Sequence, residues 1–145
     1  MSTPEIIEAL HGLAVAEYGP QVSVVDGPPA ADVPIGDAVG LAVNVEGGEV
    51  APAQATSQFG LRSFRNQLDL SCLVQSSSGS DDFPRLRRQA FALLDQFRSV
   101  LAALRERDDV VDARIPSHTY TPIRDNQALT ALVQFVVRVD IYTKE

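Results

Sequence analysis

The chain has one cysteine, Cys72, in 145 residues. That excludes an internal disulfide and any site that needs several thiolates. No apolar run approaches the roughly 18 residues that a membrane span requires. Met1-Ser2-Thr3-Pro4-Glu5 lacks the basic start of an export signal, so a soluble chain is expected. A phosphate-cradling glycine loop, a Gly-x-Ser-x-Gly elbow, a His-Glu-x-x-His pair and a metal-spaced Cys/His set are all missing. Neither an enzyme nor a cofactor is expected on that basis. His11 and His118 are the two histidines, and their spacing identifies no third ligand. Asp108, Asp109 and Asp112 read as a polar turn, Asp81 and Asp82 as helix capping, and Cys72 as a packed core residue between Leu70 and Val74.

Positive charge is missing from a whole stretch. Between Met1 and Leu61 there is no Lys or Arg against eight acids: Glu5, Glu8, Glu17, Asp26, Asp32, Asp37, Glu46 and Glu49. From Arg62 onward twelve basic residues meet eleven acids, so −8 and +1 sum to the net charge of −7. Such a chain is repelled by nucleic acid at long range, which argues against sequence-driven DNA or RNA binding. The asymmetry suits self-association, because a head-to-tail interface joins two different patches of the same chain. Eleven of the twelve basic residues are arginine, with Lys144 the exception. Arg62 and Arg65 can make two-pronged contacts with carboxylates of another subunit.

What is present is one domain, 1–145, with 45% hydrophobic and 21% charged residues. Ile6, Ile7, Leu10, Leu13, Ala14 and Tyr18 recur at helical spacing after a Thr3 cap, and Gly19-Pro20 stops the helix. Gln21 to Asp26 is a short β-branched strand. Pro28 to Asp37 is a loop, and Ala38 to Glu46 a half-buried strand with Val39, Leu41, Val43 and Val45 on one face. Gly47 to Gly60 has no period and is expected to be an extended excursion, the first place to seek partner contacts. Leu61 to Gln75 alternates as a strand, with Leu73 the apolar exception on its polar face. A long helix follows from Asp81-Asp82 to about Arg107, carrying Leu86, Ala90, Leu93, Leu94, Phe97, Val100, Leu101 and Leu104 as its stripe. Val110 to Tyr120 is a strand, with Pro116 predicting an edge or a bulge. Leu129 to Tyr142 closes the chain with one wholly apolar face. The expected class is α+β, two helices on a largely antiparallel sheet of about five strands, in the order α-β-β-β-α-β-β.

Several of these phrases, with the order of elements, resemble one known family. The helix ending in Gly19-Pro20, Val25-Asp26-Gly27-Pro28-Pro29, Pro34-Ile35-Gly36-Asp37, the Arg62-Ser63-Phe64-Arg65 opening of a long polar-alternating strand, and the closing Leu132-Val133-Gln134-Phe135-Val136-Val137-Arg138-Val139 resemble the tail terminator or tail completion proteins of long-tailed bacteriophages. The resemblance spans nearly the whole chain. It implies a structural virion protein in the neck region of the tail, made in the host cytoplasm, forming a ring that is expected to be a hexamer. The ring would cap the head-proximal end of the tail tube, end tube polymerisation and present a joining surface to the head-tail connector or head-closure protein. Its partners would be itself, the tail tube protein and that connector, with DNA passing through unbound and no membrane involved. Arg62, Arg65, Glu46, Glu49, Gln54 and Gln58 are the candidate subunit or tube interface. Another neck protein of the same virion, or a small ligand-binding α+β module, are the alternatives.

Overall fold

The computed structural model describes residues 2–28, 36–49, 63–79, 82–125 and 128–144, with 48, 49, 63–65, 143 and 144 described for their backbone alone. Its elements run α1 (Thr3–Tyr18), β1 (Val22–Asp26), β2 (Asp37–Glu49), β3 (Ser63–Ser78), α2 (Phe83–Arg105), β4 (Val110–Arg124) and β5 (Leu129–Lys144). The α+β class and the order of elements are those expected from the sequence.

The cap of helix α1 lies one residue before the predicted one. Ser2, not Thr3, is the N-cap: its hydroxyl accepts the Glu5 N–H at 3.4 Å and donates to Glu5 Oε1 at 3.0 Å. The helix ends where Gly19 turns to φ +76 and its N–H closes on the Val15 carbonyl at 3.1 Å. Helix α2 starts on Asp82, which accepts the Arg85 N–H, with Pro84 in the first turn, where a missing N–H costs nothing.

The five strands form one sheet in the order β1-β2-β3-β5-β4. Three of the four pairings are antiparallel, and β1 with β2 is parallel. Both helices lie on the same face of this sheet. Helix α1 covers β1 and β2, and α2 covers β3, β5 and β4. Between these layers sit Ile6, Leu10 and Ala14 of α1, the eight-residue stripe of α2, Leu68, Leu70, Cys72 and Val74 of β3, and Val133, Phe135, Val137, Val139 and Ile141 of β5. Phe97 meets Phe135 edge-on, with centroids 4.9 Å apart at 67°. Tyr18 spans the two helices by donating to the Leu93 carbonyl at 2.6 Å.

Strand β2 departs from simple alternation. Gly40 pairs with Leu73 but Asn44 with Ser71, so four steps of β2 match two of β3, and Ala42 in that bulge has φ +53. Val39 and Leu41 before it are fully buried, whereas Val43 is 41% exposed instead of joining their face. Pro116 marks a bulge, as predicted. It lies where the register of β4 slips between Arg114 and Ser117, and β4 is an edge strand.

Candidate interaction surface

Among the described residues, the sheet face opposite the helices carries no helix. Its charged residues fall into a row that crosses four strands: Glu46 of β2 pairs with Asp69 of β3, Asp69 with Arg138 of β5, and Arg138 with Arg114 of β4. The row therefore runs from acid at the β2 side to arginine at the β4 edge. Arg138 grips Asp69 with two prongs, Nε to Oδ1 at 2.9 Å and Nη2 to Oδ2 at 3.1 Å. That hydrogen bonding holds the Asp69 carboxyl below the usual carboxylate range. The facing pair of guanidiniums is tolerated because Arg114 also reaches Asp112 at 2.7 Å and Asp140 at 3.3 Å. Asp140, 3% exposed, takes a further hydrogen bond from Gln67 at 3.0 Å.

The bulges of β2 and β4 lie on one cross-sheet row, Asn44, Ser71, Val136 and Ser117. An open recess of about 280 Å³ lies there, walled by Val43, Leu73 and Val136 together with Ser71, Thr119 and Gln134. It holds no charged side chain. Cys72 contributes to its floor, but the side chain belongs to the core between sheet and helices, where burial pushes the thiol up to about 12, so it is no nucleophile at neutral pH. Among the described residues no group of three His, Cys, Asp or Glu side chains could hold a metal ion.

Charge is also split between the two flanks of the helical layer. Helix α1 carries Glu5, Glu8 and Glu17 and no Lys or Arg, and β1 beneath it adds Asp26. Helix α2 carries Arg85, Arg87, Arg88, Arg98 and Arg105 against Asp95 alone. Phe91 of α2 meets His118 of β4 edge-on at 5.9 Å and the tilted Tyr120 ring at 5.8 Å, which marks the β4 flank of the helix. Arg87, Arg88 and Arg98 stand at −4, −3 and +7 from Phe91 and share that flank. The asymmetry along the chain thus becomes an asymmetry in space: acids over β1 and β2, arginines beside β4.

Of the candidate interface residues, Glu46 is exposed on the helix-free face at the acidic end of the charged row. Glu49 ends β2 opposite Asn66, and Arg65 of β3 pairs with Tyr142 of β5. Gln54, Gln58 and Arg62 lie outside the described residues, as does the stretch 50–62, most of the predicted Gly47–Gly60 excursion; Gly47 to Glu49 belong to β2. Glu46 and Arg65 occupy neighbouring strands of one sheet. Asp69, Arg114, Arg138 and Asp140 are not among the residues expected from the sequence; their signal is charged residues at every second place in strands with an apolar opposite face. No protein-family model matches the chain, and no curated protein matches it.

Proposed function

We propose that this chain is a ring-forming structural subunit of the tail-terminator kind, which caps the head-proximal end of a phage tail tube and joins it to the head connector. The observation that carries the proposal is the lateral division of charge, with acidic α1 and β1 on one flank of the sheet and the arginines of α2 and β4 on the other. A subunit with unlike flanks associates head to tail, and head-to-tail association closes into a ring when the rotation allows it.

The helix-free face suits the lumen of such a ring. Its two described arginines are each held by carboxylates, Arg114 by Asp112 and Asp140 and Arg138 by Asp69, and arginines neutralised in this way hold DNA weakly. Arg85, Arg87 and Arg88 belong to the helical layer and then lie outside the lumen. The Gly47–Gly60 stretch, of which 50–60 lies outside the described residues, is the proposed contact with tube or connector.

Polymerising the tail tube protein of the same virion with and without this chain tests the role. Tubes that stop growing and carry a ring at one end are expected. Tube lengths unchanged by a molar excess of the chain, with no ring at either end, would contradict it. The recess at Val43, Leu73 and Val136 favours a second reading, a small ligand-binding module, which a rise in Tm with a metabolite would support.

A further inference from the structure

Sheet order leaves β1 and β4 each with one side unpaired among the described residues. Unpaired backbone N–H and C=O groups on a sheet edge are a template for another strand. Proline cannot donate to a ladder, so prolines mark how much of each edge is usable. On β4, Pro116 and Pro122 bracket five residues, Ser117 to Thr121. On the other edge β1 is itself five residues, Val22 to Asp26, bracketed by Pro20 and Pro28. The β4 window thus spans five residues, against seven between Pro20 and Pro28, of which β1 occupies five.

We propose that the β1 edge of one copy pairs antiparallel with the Ser117–Thr121 window of β4 in a second copy, making the sheet continuous from subunit to subunit. This rests on the ring reading and names its lateral contact. Strand direction agrees. Following the pairings across the sheet, β1 and β2 run one way, β3 the other, β5 with β1, and β4 against it. Copies related by rotation about an axis along the strands keep those directions, so β1 meets the neighbour's β4 antiparallel.

Sidedness and chemistry select the register. Val24 faces the helical layer, since it packs on the core and pairs with buried Val39. On β4 the residues facing that layer are His118 and Tyr120, both against Phe91. A continuous sheet must match faces, so Val24 stands opposite His118 or Tyr120. Each choice sets one end residue of β1 against a proline, Asp26 on Pro116 when Val24 is opposite His118 and Val22 on Pro122 when it is opposite Tyr120, so the remaining pairs decide. Opposite Tyr120 it forms a β-branched–aromatic pair and brings the Asp26 carboxylate onto the His118 imidazole, with Val25 on Thr119 and Ser23 on Thr121. The same step sets the acidic α1 of one copy beside the arginine flank of α2 in the next, so both layers are complementary.

The test is a cysteine pair read by mass. Val25→Cys with Thr119→Cys joins half-buried and exposed positions that face each other in this register, while Cys72 stays buried. Mild oxidation should give a ladder of covalent multimers, because a head-to-tail contact links each copy to two neighbours. Val25→Cys with Ile123→Cys moves one thiol about 13 Å along β4 and should give no ladder. Asp26→Lys should raise the concentration for half-assembly about tenfold, with the circular dichroism spectrum unchanged. Covalent dimers and nothing larger would mean an isologous contact and overturn the proposal. Rings in electron micrographs without any ladder would overturn the edge pairing and leave the ring standing. Monomer at every concentration, with no ladder, would overturn both.

Discussion

Phe97 and Phe135 touch edge-on at the centre of the core, and each contributes far more through what it excludes than through ring geometry. Phe97→Ala is expected to cost about 3–5 kcal/mol, measured as a drop in urea midpoint, because a rigid two-layer core closes a cavity poorly. Tyr18→Phe removes one buried hydrogen bond without a change of shape and should cost only about 1 kcal/mol. At the surface, Asp69 gives a pH-dependent term. Its carboxyl is held below the ordinary 3.8 by hydrogen bonds from Arg138, so the unfolded chain binds its proton first. The stabilisation is complete above that ordinary value and is lost as pH falls through the lowered one. Asp69→Asn should therefore flatten the acid limb of a plot of stability against pH below about 4, with little change in slope near neutrality. A mutant whose acid limb kept the parent slope would show that the Arg138 pair contributes nothing. None of this pairing could be read from the sequence, since Asp69 and Arg138 meet only through strand register across 69 positions.

Elements were far more legible than contacts. Helix α2 and strand β5 follow directly from their apolar periods, and the structure buries the predicted stripe of α2 and one face of β5. Ser2-Thr3-Pro4-Glu5 contains the Ser-x-x-Glu capping pattern that places the N-cap at Ser2, a stronger signal than the lone hydroxyl of Thr3. The parallel pairing of β1 with β2 had no signal. Parallel neighbours ordinarily need a crossover of about a dozen residues, and Gly27 to Gly36 is shorter. Period counting misplaced Val43 because the alternation of Val39, Leu41, Val43 and Val45 runs unbroken through the sequence, while the bulge between Gly40 and Asn44 shifts the strand's faces. Ala42 takes the left-handed conformation there, at a cost of about 1 kcal/mol or more. Ala42→Gly should therefore leave the protein as stable or raise its Tm by a few degrees, whereas Ala42→Val should lower it. A destabilised glycine variant would mean that the Ala42 methyl packs better than its backbone is strained.

For the molecule as a whole, the sheet order turns an uneven sequence into a laterally polar body. Acids of α1 and β1 stand at one side, arginines of α2 and β4 at the other, and the Glu46–Asp69–Arg138–Arg114 row repeats that direction on the opposite face. The sequence showed that the first sixty-one residues lack positive charge. It could not show that this segment forms one flank, because that depends on β3 pairing with β5 and leaving β4 outermost. Attraction between exposed flanks is screened beyond about 8 Å at physiological ionic strength, so self-association should weaken as salt rises. Arg87→Glu with Arg88→Glu should weaken it in the same way at low salt, and Glu8→Arg with Glu17→Arg in a mixed partner should restore it.

Mass by light scattering across concentration and salt, with negative-stain images of the same samples, tests the head-to-tail ring most directly. The account predicts a closed species at an integer multiple of the monomer mass, ring-shaped in the images, that loses mass between about 0.05 and 0.5 M salt. A monomer at every concentration and salt, or an assembly indifferent to salt and to reversal of Arg87 and Arg88, would contradict it.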